Sequence, residues 1–211
     1  MPLLFQHIAP LRGVWEIEES SGTLFSLLKN GEEYLPQLEN IRTEHRRQEW
    51  LASRVLLQEL LGYPACIAYR ADGAPYLPDS PFYISISHTK GYAAVLVQEH
   101  PAAGIDIEYR SGRVQKIRSR FMAQEEEESI DKEHETEHLL LHWCAKETLF
   151  KMIGQEEVDF RRHLHVCPFP YTAEGRFKVY ETRTAEGAVY ALDYLVTSEF
   201  ALVWSSPFIP C

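Results

Sequence analysis

Two stretches of this chain repeat the same features in the same order, and that repetition constrains the fold more than any other property of the sequence. Gly13-Val14-Trp15-Glu16-Ile17-Glu18 is echoed by Gly104-Ile105-Asp106-Ile107-Glu108. Trp50-Leu51-Ala52-Ser53-Arg54 is echoed by Trp143-Cys144-Ala145-Lys146-Glu147, and Ser87 through Ala93–Val97 by Ser198 through Ala201–Trp204. A duplicated strand–helix–hairpin unit accounts for three matches in one order. Chance likeness between two α+β segments is the plainer alternative. Duplication implies two halves, 1–102 and 103–211, with a site at their interface, where pockets commonly form.

The local patterns agree with an α+β chain built from antiparallel pairs rather than alternating βαβ units. Leu3–Ile8 and Gly13–Glu18 read as strands and Leu24–Leu28 as a short helix. Arg42–Leu61 carries Leu51, Val55, Leu56 and Leu60 at helical spacing, closed by Gly62. Cys66–Tyr69 reads as a strand, and Phe82–Ser87 with Tyr92–Gln98 as a hairpin, followed by a strand at Gly104–Glu108. A helical stretch opens near 125, and His138–Ile153 is the clearest helix, ended by Gly154. His163–Cys167, Arg176–Glu181, Ala188–Thr197 and Phe200–Ser205 read as strands.

Among 211 residues, 45% hydrophobic and 25% charged, a buried core is expected and disorder is not. The net charge of −10 disfavours a generic nucleic-acid binder. That charge is local: the run 125–138 holds eight carboxylates against Lys132, a net of −7. No apolar run reaches the roughly 18–20 residues of a membrane span, and the first ten residues lack the pattern of a secretory signal. Cys66, Cys144, Cys167 and Cys211 include no C-x-x-C pair, which disfavours a zinc ribbon or a disulfide scaffold. The expectation is a cytoplasmic monomer without nucleic-acid or membrane partners.

Asp106 and Glu108 are i and i+2 on one strand, so they share a face with Cα atoms about 6.5–7 Å apart. Two such carboxylates repel unless a cation lies between them, and oxygen-only ligands suit Mg²⁺. Taken alone, a half-exposed strand explains them as well. Glu147 and Lys151, i and i+4, are neighbours on a helix and could add a third carboxylate and an ammonium group, with Lys146 adjacent. An ordinary helix-stabilising pair is the alternative. His88 closes a strand at the hairpin, suited either to a phosphate or to a turn. Arg42, His45, Arg46, Arg47 and Arg54 make a basic stretch interrupted by Glu44 and Glu49, either a phosphate clamp or a solvated face.

Together these residues resemble the Sfp-type 4′-phosphopantetheinyl transferases. The resemblance rests on Gly104-Ile105-Asp106-Ile107-Glu108 and, downstream, Trp143-Cys144-Ala145-Lys146-Glu147 with Lys151. Supporting matches are Ser87-His88, Gly73-x-Pro75, the basic helix ending at Arg54, and Arg120-Phe121 with Glu125; the likeness covers 42–154. It implies a pseudo-dimer of α+β halves with coenzyme A in the cleft. The implied reaction moves 4′-phosphopantetheine to a serine of an apo acyl or peptidyl carrier protein and releases adenosine 3′,5′-bisphosphate. By the same resemblance, Asp106, Glu108 and Glu147 hold Mg²⁺. Glu147 assists serine deprotonation, Lys151 serves the leaving phosphate, and Lys146 supports the phosphates. Arg47, Arg54, Gly73, Pro75, Ser87 and His88 are implied on coenzyme A, with Arg54 and His88 at its 3′-phosphate end.

The sequence departs from the family pattern at Cys144, where Ser or Thr is usual, and at Ala74, where Lys is frequent. Arg110, Arg113, Lys116, Arg118 and Arg120 form a basic stretch that suits an acidic carrier protein, or a solvated helix. His134, His138 and His142 recur every four residues; zinc or nickel could use that spacing, but a solvated face is the expected reading. The rival functions are a Mg²⁺-dependent phosphohydrolase, a coenzyme-A-binding homologue without transfer, and a non-enzymatic interaction protein.

Overall fold

The computed structural model describes residues 2–8, 10–185 and 187–206. The chain divides into two compact units, Met1–Glu99 and His100–Cys211. Cys211 lies outside the described residues; Cys66, Cys144 and Cys167 are free thiols.

The first unit opens with β1 (Leu3–Ile8), β2 (Leu11–Glu16) and α1 (Ser21–Leu27). A 3₁₀ turn at Gly31–Tyr34 leads into α2 (Leu35–Leu38), and neither was expected from the sequence. The long α3 (Glu44–Leu61) follows, then β3 (Ala68–Tyr69), β4 (Pro75–Tyr76), β5 (Tyr83–Thr89) and β6 (Tyr92–Gln98). Thr43 caps α3 by accepting the Arg46 N–H, and Gly62 closes it at φ +76°, a left-handed conformation that suits glycine. The four-stranded antiparallel sheet runs β1-β2-β6-β5, and α3 lies against it. Leu51, Val55, Leu56 and Leu57 of α3 pack with Trp15, Val95 and Val97 in one core.

The second unit comprises β7 (Ile105–Tyr109), α4 (Arg113–Phe121), α5 (Gln124–Glu127), α6 (Glu135–Ile153), β8 (Leu164–Val166), β9 (Glu174–Glu181), β10 (Val189–Val196) and β11 (Phe200–Ser205). Its antiparallel sheet runs β7-β11-β10-β9-β8, with α6 against β11 and β7. The acidic run does not open one long helix: α5 ends at Glu127, and α6 starts only at Glu135.

The echoed segments occupy matching places in the two units. β2-β6-β5 in one sheet corresponds to β7-β11-β10 in the other, each with its long helix on one face. The two echoed glycines serve close approaches of strand to helix. A Cβ at Gly13 would lie 3.0 Å from Leu56 Cδ1, and one at Gly104 would lie 2.6 Å from Met152 Cγ and 2.7 Å from the Thr148 carbonyl oxygen. Gly104 therefore lets the start of β7 settle directly on the last turns of α6. That approach positions the residues described next.

Candidate active site

Strand alternation puts Asp106 and Glu108 on one face of β7. In the register with β11, Asp106 pairs with Val203 and Glu108 with Ala201. Val203 and Ala201 belong to the core beneath α6, so the two carboxylates lie on the helix side of the sheet, at its edge. Ile105 and Ile107 are also buried but occupy the opposite face. An apolar strand with outward polar residues does not describe this geometry, because Asp106 is itself buried.

From α6, Lys151 Nζ donates to Asp106 Oδ1 at 2.8 Å and to the Ile105 carbonyl at 2.8 Å. Trp143 Nε1 donates to Glu108 Oε1 at 2.9 Å, and its ring packs edge-on against Phe121. Glu147 sits between these contacts. Burial and then the negative charge of Asp106, partly countered by Lys151 with Glu108 adding again, push its carboxyl up to about 7. Cys144 is fully buried, and its thiol is raised well above the usual range by burial and by the same two acids. Strand and helix thus bring Asp106, Glu108, Glu147 and Lys151 to one face.

The oxygen donors of this face fit Mg²⁺. Among the described residues, no three His, Cys, Asp or Glu side chains stand in ligating geometry. Mg²⁺ characteristically uses one or two carboxylates and fills its octahedron with water and substrate phosphate, so a complete protein cage is not its usual site.

Lys146 is separated from this group. Its side chain is fully buried, 2.6 Å from Glu126 Oε2, and it also donates to the carbonyls of Phe121 and Phe160. Residues five apart on a helix point about 140° away from each other, so Lys146 faces α5 while Lys151 faces β7. The expectation that both lysines serve phosphate is corrected for Lys146: all its donors are directed into the unit. The acid that holds it is Glu126, next to the Glu125 of the motif. Glu126 also accepts the N–H groups of Ala123 and Val166.

The basic helix is rearranged relative to expectation. Arg54 is buried, with its guanidinium carbon 3.3 Å from the Trp50 ring centroid. It donates to the Trp50 carbonyl and to the Tyr69 hydroxyl. Burial lowers its pKa, with Tyr69 opposing. The structure therefore makes Arg54 a core residue of the first unit rather than an open phosphate contact. Arg47 Nε donates to the Ile41 carbonyl at 2.7 Å. It is Arg46 that reaches His88, with Nη1 3.2 Å from His88 Nε2. The sequence places Arg46 in the basic stretch that suits a phosphate clamp, but it does not single Arg46 out from Arg47 and Arg54. Ser87 is buried and, as the neighbour of His88, points to the other face of β5. Gly73 takes φ +84° in the exposed turn between β3 and β4, where Pro75 begins β4.

The basic stretch near β7 is partly neutralised. Arg110 pairs with Glu137, and Arg118 with Glu127 and Glu135. Arg113, Lys116 and Arg120 are exposed. The histidine stripe is not a solvated face: His138 and His142 are buried against Phe169, and only His134 is exposed, stacked on Tyr171. His138 Nδ1 accepts the Asp131 N–H, so the neutral ring carries its proton on Nε2. That tautomer disfavours metal binding through Nε2.

Residues 102–203 match the 4′-phosphopantetheinyl transferase superfamily, and residues 39–98 match the 4′-phosphopantetheinyl transferase N-terminal domain. The chain belongs to the 4′-phosphopantetheinyl transferase superfamily. It is similar to the 4′-phosphopantetheinyl transferase AcpT of Escherichia coli O157:H7 and to that of Escherichia coli strain K12, 29% identical to each over 115 residues. The match covers 52% of this chain and 59% of each relative, so the chain spans less than two thirds of the length of the curated relatives it matches. Among the described residues, no helix is long and apolar enough to cross a membrane.

Proposed function

We propose that this protein transfers 4′-phosphopantetheine from coenzyme A to a serine of an apo carrier protein. The observation that carries the reading is the half-buried Glu147 carboxyl of α6 set beside Asp106 and Glu108 of β7, with Lys151 joined to Asp106. Family membership supplies the reaction class. Phosphoryl transfer asks a protein for positioning and charge neutralisation more than for covalent chemistry, and this face offers both.

In the proposed reaction the carrier serine Oγ attacks the coenzyme A phosphorus that bears pantetheine. A new Oγ–P bond forms, the P–O bond to the second phosphate breaks, and adenosine 3′,5′-bisphosphate leaves with that electron pair. Glu147 takes the serine proton at a carboxylate oxygen. Lys151 places an ammonium group where charge grows on the leaving oxygen. Asp106, Glu108 and Glu147 would hold Mg²⁺, which supplies neutralisation of pyrophosphate charge when bound. Arg46 and His88 of the first unit suit the phosphate monoester of the nucleotide. The exposed Arg113 and Lys116 suit an acidic carrier surface.

The test is incubation with coenzyme A, Mg²⁺ and an apo acyl carrier protein. The expected result is a carrier mass increase of one phosphopantetheine, matched by equimolar adenosine 3′,5′-bisphosphate. Adenosine bisphosphate release without a carrier mass gain would indicate hydrolysis and overturn the reading.

A further inference from the structure

In the sequence Glu49 reads as an acid that interrupts a basic stretch. In the fold it is the point on which that stretch converges. Its side chain is only 6% exposed, yet it is approached by His45 Nε2 at 2.9 Å, Arg46 Nη1 at 2.8 Å and His88 Nδ1 at 3.4 Å. His45 and Arg46 are themselves about three-fifths exposed, and His88 about one third. The basic groups therefore face outward around one buried carboxylate.

The contacts also fix orientation. His88 presents Nδ1 to Glu49 and Nε2 to Arg46, so its ring is held on both edges. Arg46 and Glu49 are i and i+3 on α3, whereas His88 comes from the end of β5, so the carboxylate ties a helix group to a strand group. A long arginine side chain on an open surface otherwise samples many rotamers, and a ligand that needs one of them must bear that ordering cost.

We infer that Glu49 is a positioning residue that pre-organises Arg46 and His88 as a subsite for a phosphate monoester. The inference rests on the coenzyme A reading above and deepens it. Coenzyme A carries one phosphate monoester, on the 3′-oxygen of ribose, and one pyrophosphate diester. The carboxylate face with its single lysine suits a metal-bridged pyrophosphate. Both ring nitrogens of His88 are engaged, Nδ1 by Glu49 and Nε2 by Arg46 Nη1, so the N–H groups that suit the monoester are the remaining ones of the Arg46 guanidinium, which His88 and Glu49 hold in place. Glu49 also opposes a bound phosphate by its own charge. If repulsion outweighed positioning, neutralising Glu49 would tighten binding, so the sign of the effect decides the matter.

The experiment titrates wild-type protein and Glu49→Gln with adenosine 3′,5′-bisphosphate and with adenosine 5′-monophosphate, and measures kcat and KM with coenzyme A and with 3′-dephospho-coenzyme A. The expected result is about tenfold weaker binding of the bisphosphate to Glu49→Gln, equivalent to about 1.4 kcal/mol, and a similar rise in KM for coenzyme A. The monophosphate affinity and the KM for dephospho-coenzyme A stay within about twofold. Arg46→Gln should give the same selective loss, and the double variant no further loss, because both changes remove one assembly. If Glu49→Gln does not fold, Glu49→Asp replaces it, with the same selective loss expected from the shortened reach. Equal losses on both nucleotides, no loss, or tighter binding would overturn the inference. Wild-type protein that binds the bisphosphate in this Glu49-dependent way but modifies no carrier would defeat the transferase reading and leave the inference standing. Wild-type protein with no preference for the bisphosphate would defeat the inference whatever the transfer result.

Discussion

Lys151 reaches back from the last turns of α6 to hold Asp106 at 2.8 Å, and the same ammonium group caps the Ile105 carbonyl at the head of β7. One side chain thereby joins the helix that carries Glu147 to the strand that carries Asp106 and Glu108. Replacing it removes both a positioning contact and the cation among three acids. Lys151→Met is expected to lower kcat by about 10²-fold, the scale of a lost charge-stabilising donor. It should also lower stability by about 1–3 kcal/mol, because the Asp106 carboxylate stays buried without its ammonium partner. Added Mg²⁺ should restore part of the stability but not the rate. The checks are single-turnover kinetics and urea unfolding with and without the ion.

Arg54 behaves as a structural residue. Its guanidinium lies on Trp50 and meets the Tyr69 hydroxyl within the first unit. Arg54→Ala should cost about 2–4 kcal/mol through lost packing, cation–π attraction and hydrogen bonds. The affinity of the folded variant for coenzyme A should match wild type, measured by titration calorimetry under conditions where the variant is folded. A tenfold affinity loss with unchanged stability would return Arg54 to the ligand site.

Two buried histidines make stability depend on pH. Burial lowers the pKa of His138, with Asp131 opposing, and holds that of His142 well below its ordinary value of 6.5, with His138 and Lys146 adding to the shift. Neither ring nitrogen of His142, nor Nε2 of His138, has a hydrogen-bond partner among the described residues. The unfolded chain therefore takes up protons below pH 6.5 that the folded chain refuses. The histidines' contribution to stability should be level above about pH 6.5 and should fall as the pH drops below it, by up to about 1.4 kcal/mol per pH unit for each, while Glu147, whose carboxyl is raised to about 7, binds its proton in the folded chain first and opposes that fall. Urea unfolding of His142→Phe should show a shallower acid slope than wild type. Parallel slopes would contradict the assignment.

Legibility in the sequence followed the range of the interactions. Gly62 and Gly154 ended their helices as read, at φ +76° and +56°, because a C-cap is decided within a few residues. The shared face of Asp106 and Glu108 was legible from strand alternation alone. Which side of the sheet that face meets was not legible, since it depends on α6 packing over β11. Lys146 and Lys151 look equivalent in sequence, but their directions on the helix differ, and only the packing of α5 shows what Lys146 meets. The pairing of Arg118 with Glu127 and Glu135, and the hub at Glu49, join segments whose contact no local pattern encodes. The histidine stripe misled because a period of four fixes a face without saying whether water or Phe169 covers it.

Arg113 and Lys116 lie in the first turn of α4, where cations oppose the helix dipole, and no acid of that turn offsets them. Exposed charge at an electrostatically unfavourable position agrees with a docking role. Reversing both to Glu should raise the apparent KM for an acidic carrier protein, leave the affinity for coenzyme A unchanged, and slightly stabilise the helix. Steering by rim charges is screened by salt, so the defect should shrink between about 0.05 and 0.5 M ionic strength. A KM increase of the same size toward a small pantetheine acceptor would contradict a carrier-docking role.

The central claim is that Glu147, Asp106 and Glu108 form the face on which phosphopantetheine changes hands. Its most direct test is the intact mass of an apo acyl carrier protein incubated with coenzyme A and Mg²⁺ and either wild-type protein or Glu147→Gln, the latter first shown to be folded by its unfolding transition. Wild-type protein should convert the carrier fully to its phosphopantetheinyl form, excess EDTA should stop conversion, and Glu147→Gln should slow it by about 10²-fold or more. Conversion by Glu147→Gln at the wild-type rate, or undiminished conversion in EDTA, would contradict the account.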